Sequence, residues 1–486
     1  MTKEIKNKKT FYITTPIYYP TAKPHLGTAY TTIAADILAR WNKLLGKDVF
    51  FLTGTDEHGQ KLYEAAKKLG KDPKCYVDVL VNDFKNVWKE LEIDFDYFIR
   101  TTDKSHEDVV KNIIKKIYDN GDLYEDNYEG LYCVPCESYW TEKDLVDGNC
   151  PSCGRGVQSF KEKAYFFKLS KYQDKLIEIY TKNLQFVMPE SKKNEMINRI
   201  KEGLKDISFT RSKFKWGVEF PINKEFVLWV WADALINYIS ALEWPNGKKF
   251  KKFWPADVHF IGKDILWFHS VIWPAMLISA GIKPPKTIFA HGWWTVNGEK
   301  MSKSKDNVVD PLELIKKYSA DSFRYFLFRE TPFGQDGDFS EKTLIDRHNN
   351  ELANKLGNLV SRVLTLAEKN GIEKTDNKLL KKLKLKEIEK LMENYEFDKA
   401  LNEIFSFIDL CNQYVQDKKP WETQDRKVLY ELVDSIKAIA IILSPFMPST
   451  SEKIADQIGF KIDYKEIGKP LKVKNVKKGE ILFKKI

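Results

Sequence analysis

Val49-Phe50-Phe51-Leu52-Thr53-Gly54-Thr55-Asp56-Glu57-His58-Gly59 is the stretch on which the fold turns. Its first five residues are apolar, aromatic or β-branched, a run that suits a strand buried on both faces. Its last six are polar or glycine, and the carboxyl end of a strand is where an open parallel sheet meets its ligand. Upstream, residues 11–15 form a second strand-like segment, and Pro16 and Pro20 mark the loop after it. His25-Leu26-Gly27-Thr28 then opens a helix that runs to Trp41. Strand, helix and strand make a βαβ unit, the building block of a parallel α/β sheet.

Outward from that unit the texture changes three times. Residues 60–117 are expected to be helical, with a clear 3.6-residue apolar period over 109–118. From Gly121 to about Trp216 come short strands, turns and a cysteine cluster. The α/β pattern returns with Phe226-Val227-Leu228-Trp229-Val230-Trp231 and Val258-His259-Phe260-Ile261-Gly262-Lys263-Asp264. The simplest reading is one nucleotide-binding domain interrupted by an insertion over 121–225 that carries its own metal staple. From about residue 346 amphipathic stretches take over, at 352–366, 377–391, 397–416 and 428–442, which predicts a helical bundle. The alternating stretch 469–486 is expected to form a terminal strand pair.

The chain has 486 residues, 43% hydrophobic and 30% charged. That is too apolar for a disordered chain and long enough for about two to four domains. No run of about eighteen apolar residues occurs, so no transmembrane helix is expected. The basic start leads straight into a strand without an apolar h-region, so no signal peptide is expected and the cytoplasm is the predicted location. The net charge of +10 permits a polyanionic partner such as nucleic acid, and solubility alone accounts for it equally well. Residues 346–486 hold 27 Lys and Arg against 22 Asp and Glu, so half of the excess falls in under a third of the chain.

Four of the six cysteines form two pairs, Cys133-x-x-Cys136 and Cys150-x-x-Cys153, separated by thirteen residues. Each pair places two thiolates on one tight turn, and two such turns complete a tetrahedral structural zinc site. Paired disulfides are the alternative, disfavoured without a secretion signal. A duplicated redox pair away from a helix start fits no better. Cys75 and Cys411 lie in apolar patterns and are expected in the core. His25, His58, His259, His269 and His291 lie at strand ends or turns, where α/β proteins keep their chemistry.

Two elements suit a nucleotide. In His25-Leu26-Gly27-Thr28, the helix N-terminus favours a phosphate and Gly27 lets a ligand approach the backbone. His25 can donate to a phosphate oxygen that gains charge in a displacement. Asn297-Gly298-Glu299-Lys300-Met301-Ser302-Lys303-Ser304-Lys305 combines a glycine turn, hydroxyls and three lysines, a loop able to close over a triphosphate. By residue type alone, a solvated surface loop explains it as well.

These two signatures resemble those of the class I aminoacyl-tRNA synthetases, which flank a split Rossmann fold. Within that class the chain is similar over essentially its whole length to the methionyl-tRNA synthetases. The stretches that carry the likeness are Tyr12-Ile13-Thr14-Thr15-Pro16-Ile17-Tyr18-Tyr19, Leu52 to Gly59, Phe260-Ile261-Gly262-Lys263-Asp264-Ile265, Phe268-His269-Ser270 and Pro420-Trp421. The resemblance implies an α/β fold: a split Rossmann catalytic domain with a zinc-knuckle insertion, then a helical anticodon-binding domain. It divides the chain into a first Rossmann half (1–120), a connective insertion with the zinc knuckle (121–225), a second Rossmann half with the lysine-loop and stem-contact region (226–345) and the anticodon domain (346–486).

The resemblance also implies roles. Asp56 holds the substrate ammonium, Tyr19 packs over the methionine side chain and Ile17 adds main-chain contacts. Trp231, Ala234, Leu235, Tyr238, Ile265, His269 and Trp273 line the thioether pocket, and such an aromatic, polarizable lining suits sulfur on physical grounds. Gly262 and Asp264 face the ATP ribose. His25, Gly27, Thr28, Lys300 and Lys303 face the phosphates, with His25, Lys300 and Lys303 as the catalytic set. Asn358, Arg362 and Trp421 read the anticodon of tRNA(Met), the ring by stacking and the others by bonding base edges. The implied cofactors are one structural zinc and the Mg2+ that accompanies ATP. The implied arrangement is a monomer, or a chain served by a separate C-terminal-type tRNA-binding chain.

Thr28 departs from the family pattern, which has a second histidine there. A threonine supplies one donor and no positive charge. The expectation is an active methionine ligase. A catalytically impaired tRNA-binding paralogue and a synthetase for another apolar amino acid are the alternatives, and the insertion is too short for the editing domain of the isoleucine, valine and leucine enzymes.

Overall fold

The computed structural model describes residues 9–21, 23–136, 138–140, 142–151, 153–296, 298–300, 308–472 and 476–486; of 128, 129, 138, 139, 160–162 and 300 it describes the backbone alone. The chain divides into two compact units. The first comprises residues 1–24, 49–86 and 95–291, and the second comprises 25–48, 87–94 and 292–486.

The first unit is built on a six-stranded sheet in the order Tyr97–Arg100, Asp48–Thr55, Thr10–Thr14, Val258–Gly262, Ile288–His291, Val187–Met188. Leaving out the outermost strand, the sequence order is 3-2-1-4-5, the doubly wound order. Ile13 pairs with Val258 and His259 with Ile288, both in parallel register. Val49 to Thr55 are all buried, as the apolar run requires of a strand covered on both faces. Gly54 permits the close approach of its neighbour: a Cβ there would lie 2.0 Å from the Ile99 carbonyl oxygen.

Two expectations about this unit need correction. The interval 121–225 is not a continuous insertion, because Val187–Met188 pairs in parallel with Ile288 and Phe289 in the main sheet. The remainder carries an antiparallel sheet of Ser138–Trp140, Leu123–Cys133, Gln158–Phe167 and Ile207–Ser208. A short strand, Tyr97–Arg100, also interrupts the helical region 60–117. Its four residues are too few for periodicity to register.

In the second unit, helix Leu26–Leu44 buries most of its length. A small sheet joins Glu299–Lys300, Trp294–Val296 and Gly337–Phe339. Helix Arg426–Leu443 is buried without interruption from Val428 to Leu443, which marks it as the centre of a bundle with Asn358–Asn370, Phe397–Lys418 and Pro448–Ile458. The stretch 377–391 is broken into a turn at Leu380–Lys382 and a helix at Leu385–Glu393.

Two further expectations fail. Among the described residues of 469–486 there is no strand pair. The tail is pinned instead by side chains: Asn349 exchanges two hydrogen bonds with the Ile486 backbone, and His348 Nε2 donates to Lys484 O at 2.8 Å. Cys75 is exposed while Cys411 is buried. Helix Pro73–Glu90 buries the stripe Val77, Val81, Phe84 and Trp88, and position 75 falls on the other face. Among the described residues no helix is long and apolar enough to cross a membrane.

Candidate active site

The doubly wound order reverses between Thr10–Thr14 and Val258–Gly262, so a crevice is expected at the carboxyl ends of those strands. The chain leaving the first strand runs beside the end of Asp48–Thr55. Tyr18 N–H donates to Gly54 O at 3.0 Å, and Asp56 N–H donates to Tyr18 O at 2.9 Å. Ile17, Tyr19 and Asp56 are thereby gathered on one strand-end cluster. Asp56 is only 5% exposed.

Glu57, which follows, is pinned from several directions. Arg100 Nε and Nη2 reach its two carboxylate oxygens at 2.7 and 2.8 Å. The Thr55 and Thr102 hydroxyls donate to the same carboxylate at 2.6 Å, and the Trp216 indole donates to the Glu57 carbonyl. Bidentate, charge-assisted bonds of this kind hold a turn rigidly.

The residues expected to line a thioether pocket come together. Trp231 stacks on Phe268, centroids 3.9 Å apart, and stands edge-on to His269. Tyr238 lies against His269 and Trp273, while Ala234 and Leu235 are buried on the chain between Trp231 and Tyr238. Ile17, Tyr19, Trp231 and Ile265 are half-buried against the same apolar cluster. Phe268 completes the lining by covering the Trp231 ring.

Hydrogen bonding fixes the His269 tautomer. Its Nδ1 lies 2.9 Å from Ile265 O, a group that only accepts, so Nδ1 carries the proton. Nε2 therefore accepts from the Tyr238 hydroxyl at 2.7 Å. Burial pushes the His269 imidazole down to about 4, so the ring is neutral at physiological pH. His259, stacked on Tyr238 at 4.2 Å and bonded through Nδ1 to the Thr14 hydroxyl, is also held neutral by burial. The wall is thus aromatic and uncharged, with Asp56 supplying a buried carboxylate from the strand-end turn.

Gly262 ends the strand Val258–Gly262 and Asp264 lies exposed in the following turn, both at the strand end that the reversal selects.

In the second unit His25 caps helix Leu26–Leu44. Its Nδ1 accepts from Gly27 N–H at 3.1 Å, while Thr28 Oγ1 accepts from His25 N–H at 2.9 Å and donates to His25 O at 2.7 Å. This reciprocal capping box gives Thr28 a local task that its hydroxyl performs well. No acidic residue of the helix itself occupies its first turn. Lys300 ends a two-residue strand paired with Thr295, but its side chain lies outside the described residues, and so does all of Lys303. The base of that hairpin is held by Asp338, which accepts from the Thr295 hydroxyl at 2.6 Å and from Gly298 N–H at 2.9 Å. Sequence reasoning missed Asp338 because its partners are about forty residues away.

The sulfurs of Cys133, Cys136, Cys150 and Cys153 all lie within 4.8 Å of one another. Sγ of Cys133 is 3.6 Å from that of Cys153, and Sγ of Cys150 is 3.9 Å from that of Cys136. Disulfide sulfurs would be about 2.05 Å apart, whereas a tetrahedron with Zn–S bonds of 2.3 Å has edges of about 3.8 Å. The cluster is compatible with a structural zinc. Gly154, at φ +69°, makes the second turn.

Asn358 and Arg362 lie one turn apart on helix Asn358–Asn370 and line a polar groove with Asn354, Asn412 and Gln413. Arg362 Nη2 donates to Asn412 Oδ1 at 3.3 Å, and its buried Nε has no partner among the described residues. Trp421, on the turn Pro420–Thr423, is 40% exposed and is not part of that groove's lining.

Residues 11–161 and 156–364 match the family model described as tRNA synthetases class I (M), and residues 376–478 match the anticodon-binding domain of tRNA ligase. The methionine–tRNA ligase of Caldanaerobacter subterraneus subsp. tengcongensis is 49% identical over 99% of this chain and 79% of its own length. That of Thermotoga maritima is 46% identical over 98% of this chain and 80% of its length. Mycobacterium tuberculosis methionyl-tRNA synthetase in complex with methionyl-adenylate superposes with a TM-score of 0.94 at 38% identity, covering 98% of this chain and 99% of that one.

Proposed function

Because the chain belongs to the methionine-type class I tRNA synthetases, we propose how its own residues divide the work of that reaction. The enzyme joins methionine to tRNA through methionyl-adenylate. A carboxylate oxygen of methionine attacks the α-phosphorus of ATP and pyrophosphate leaves. A hydroxyl of the tRNA 3′-terminal ribose then attacks the activated carbonyl and AMP leaves. No protein nucleophile is required, so catalysis rests on positioning and on charge stabilisation.

Asp56 holds the methionine ammonium, and Ile17 and Tyr19 flank the substrate. Trp231, Ala234, Leu235, Tyr238, Ile265, His269 and Trp273 enclose the thioether. What supports this reading is the neutral, aromatic wall around His269 beside the buried Asp56 carboxylate: a site for an apolar, polarizable side chain with a charged head. Gly262 and Asp264 meet the ATP ribose. His25, Gly27 and Thr28 face the triphosphate, and Lys300 and Lys303 stabilise the departing pyrophosphate with its Mg2+. Cys133, Cys136, Cys150 and Cys153 hold one zinc that supplies structure and no chemistry. Asn358, Arg362 and Trp421 read the anticodon of tRNA(Met). The segments 1–120, 226–345 and 346–486 are the working divisions, with 121–225 an insertion that also lends Val187–Met188 to the main sheet; the chain acts as a monomer or with a separate tRNA-binding chain, in the cytoplasm.

Methionine-dependent ATP–pyrophosphate exchange tests the reading. Brisk exchange in the parent and its loss by about 10²–10³ in Lys303→Ala support it. Full exchange in Lys303→Ala refutes the lysine's role. Absence of exchange in the parent, restored by Thr28→His, would instead favour the impaired paralogue.

A further inference from the structure

Asp233 lies on the short helix Val230–Ala234, two residues after Trp231 and next to Ala234. Its side chain is 1% exposed. One oxygen, Oδ2, accepts from His58 Nδ1 at 2.7 Å, and the other, Oδ1, accepts from His106 Nε2 at 2.8 Å. A carboxylate only accepts, so both rings present N–H to it. His106 Nδ1 meets the Ser240 hydroxyl at 2.7 Å, which satisfies its second nitrogen. The charged group facing this trio from helix Lys104–Asp119 is Glu107, whose Oε1 is 3.9 Å from His58 Nε2. Burial favours the neutral acid, but His58 and His106 together hold the Asp233 carboxyl below the usual range.

This buried carboxylate joins three elements: the turn that follows Asp56, the helix that carries Trp231 and Ala234, and helix Lys104–Asp119. Desolvating an ion is costly, so such a group is poorly explained as filler. The first residue after Asp56, Glu57, is already anchored by Arg100 and Thr102. The second, His58, is anchored by Asp233. Asp56 directly precedes both anchors.

We propose that Asp233 is a positioning residue that, through His58 and with His106 as its brace, sets the distance between the Asp56 turn and the methionine side-chain wall. The proposal rests on the assignment of Asp56 to the methionine ammonium. Loosening the clamp lets Asp56 drift while Glu57 keeps the turn folded, so the loss appears in methionine binding and spares ATP.

The test is ATP–pyrophosphate exchange kinetics on the full chain for Asp233→Asn, His58→Ala, His58→Asn and Asp56→Asn, each with a melting curve. Asp233→Asn and His58→Ala are expected to raise the methionine KM about tenfold with the ATP KM within about twofold. In His58→Asn the amide nitrogen stands near the lost Nδ1 and is expected to bring the methionine KM back to within about threefold of the parent. An unchanged methionine KM in Asp233→Asn and His58→Ala, with a raised one in Asp56→Asn, overturns the clamp. Equal rises for methionine and ATP, unrescued by His58→Asn, also overturn it, since they mark a merely structural role. An unchanged KM in Asp56→Asn refutes the ammonium assignment instead. If Asp233→Asn does not melt cooperatively, the two His58 variants decide.

Discussion

Arg324 and Asp36 meet across 288 residues of chain, Nη2 to Oδ2 at 2.6 Å, with neither side chain exposed. The arginine also donates to the carbonyls of Leu91, Pro445 and Phe446, and Asp36 is further bonded by Arg40 and by the Asp94 N–H. One guanidinium thus satisfies a carboxylate and three backbone carbonyls at once. Burial alone would raise the Asp36 carboxyl, but Arg324 and Arg40 hold it below its ordinary value.

Removing one member of such a group leaves a buried charge and orphaned carbonyls. Arg324→Met is expected to cost about 3–5 kcal/mol of unfolding free energy. The double variant with Asp36→Leu should recover only part of that loss, because the three carbonyls stay unpaired. Urea denaturation measures both, and additive costs would contradict the network.

The pocket histidine predicts a pH effect. His269 titrates at about 4 in the fold and at about 6.5 unfolded, so between those values the unfolded chain binds the extra proton. Stability from this group is present above pH 6.5 and is lost as pH falls towards 4. Relative to His269→Asn, which does not titrate there, the parent should lose about 2–4 kcal/mol over that window. Parallel denaturation curves at pH 7, 5.5 and 4.5 measure the difference, and a constant gap would exclude the neutral ring.

Cys136→Ser is expected to lower bound zinc from one equivalent to well below it, read by elemental analysis after dialysis against a chelator. The antiparallel sheet around Leu123–Cys133 should become protease-sensitive, because a structural zinc site contributes folding energy directly. Methionine activation should suffer less than zinc content.

Arg362→Ala and Trp421→Ala should each weaken tRNA(Met) aminoacylation by about 1–3 kcal/mol in kcat/KM, with amino-acid activation intact. Exchange and aminoacylation assays on the same preparations separate the two steps. A parallel fall in exchange would remove the anticodon assignment.

Strong local patterns were legible in the sequence. The buried run 49–53, the Cys-x-x-Cys spacing, the helix start at His25 and the amphipathic bundle each depend on neighbours within a few residues. Their geometry follows from chain stiffness and periodicity. Only tertiary structure decided the rest. It put Val187–Met188 into the main sheet, turned Cys75 to the outside and pinned the tail on His348 and Asn349 where alternation suggested strands. It also set Asp233 between His58 and His106, 175 and 127 residues away in the chain. A buried charge needs partners wherever the fold can bring them, and no local pattern encodes that requirement. The sequence by itself therefore indicated the family, while the three-dimensional packing chose what holds the candidate site in place.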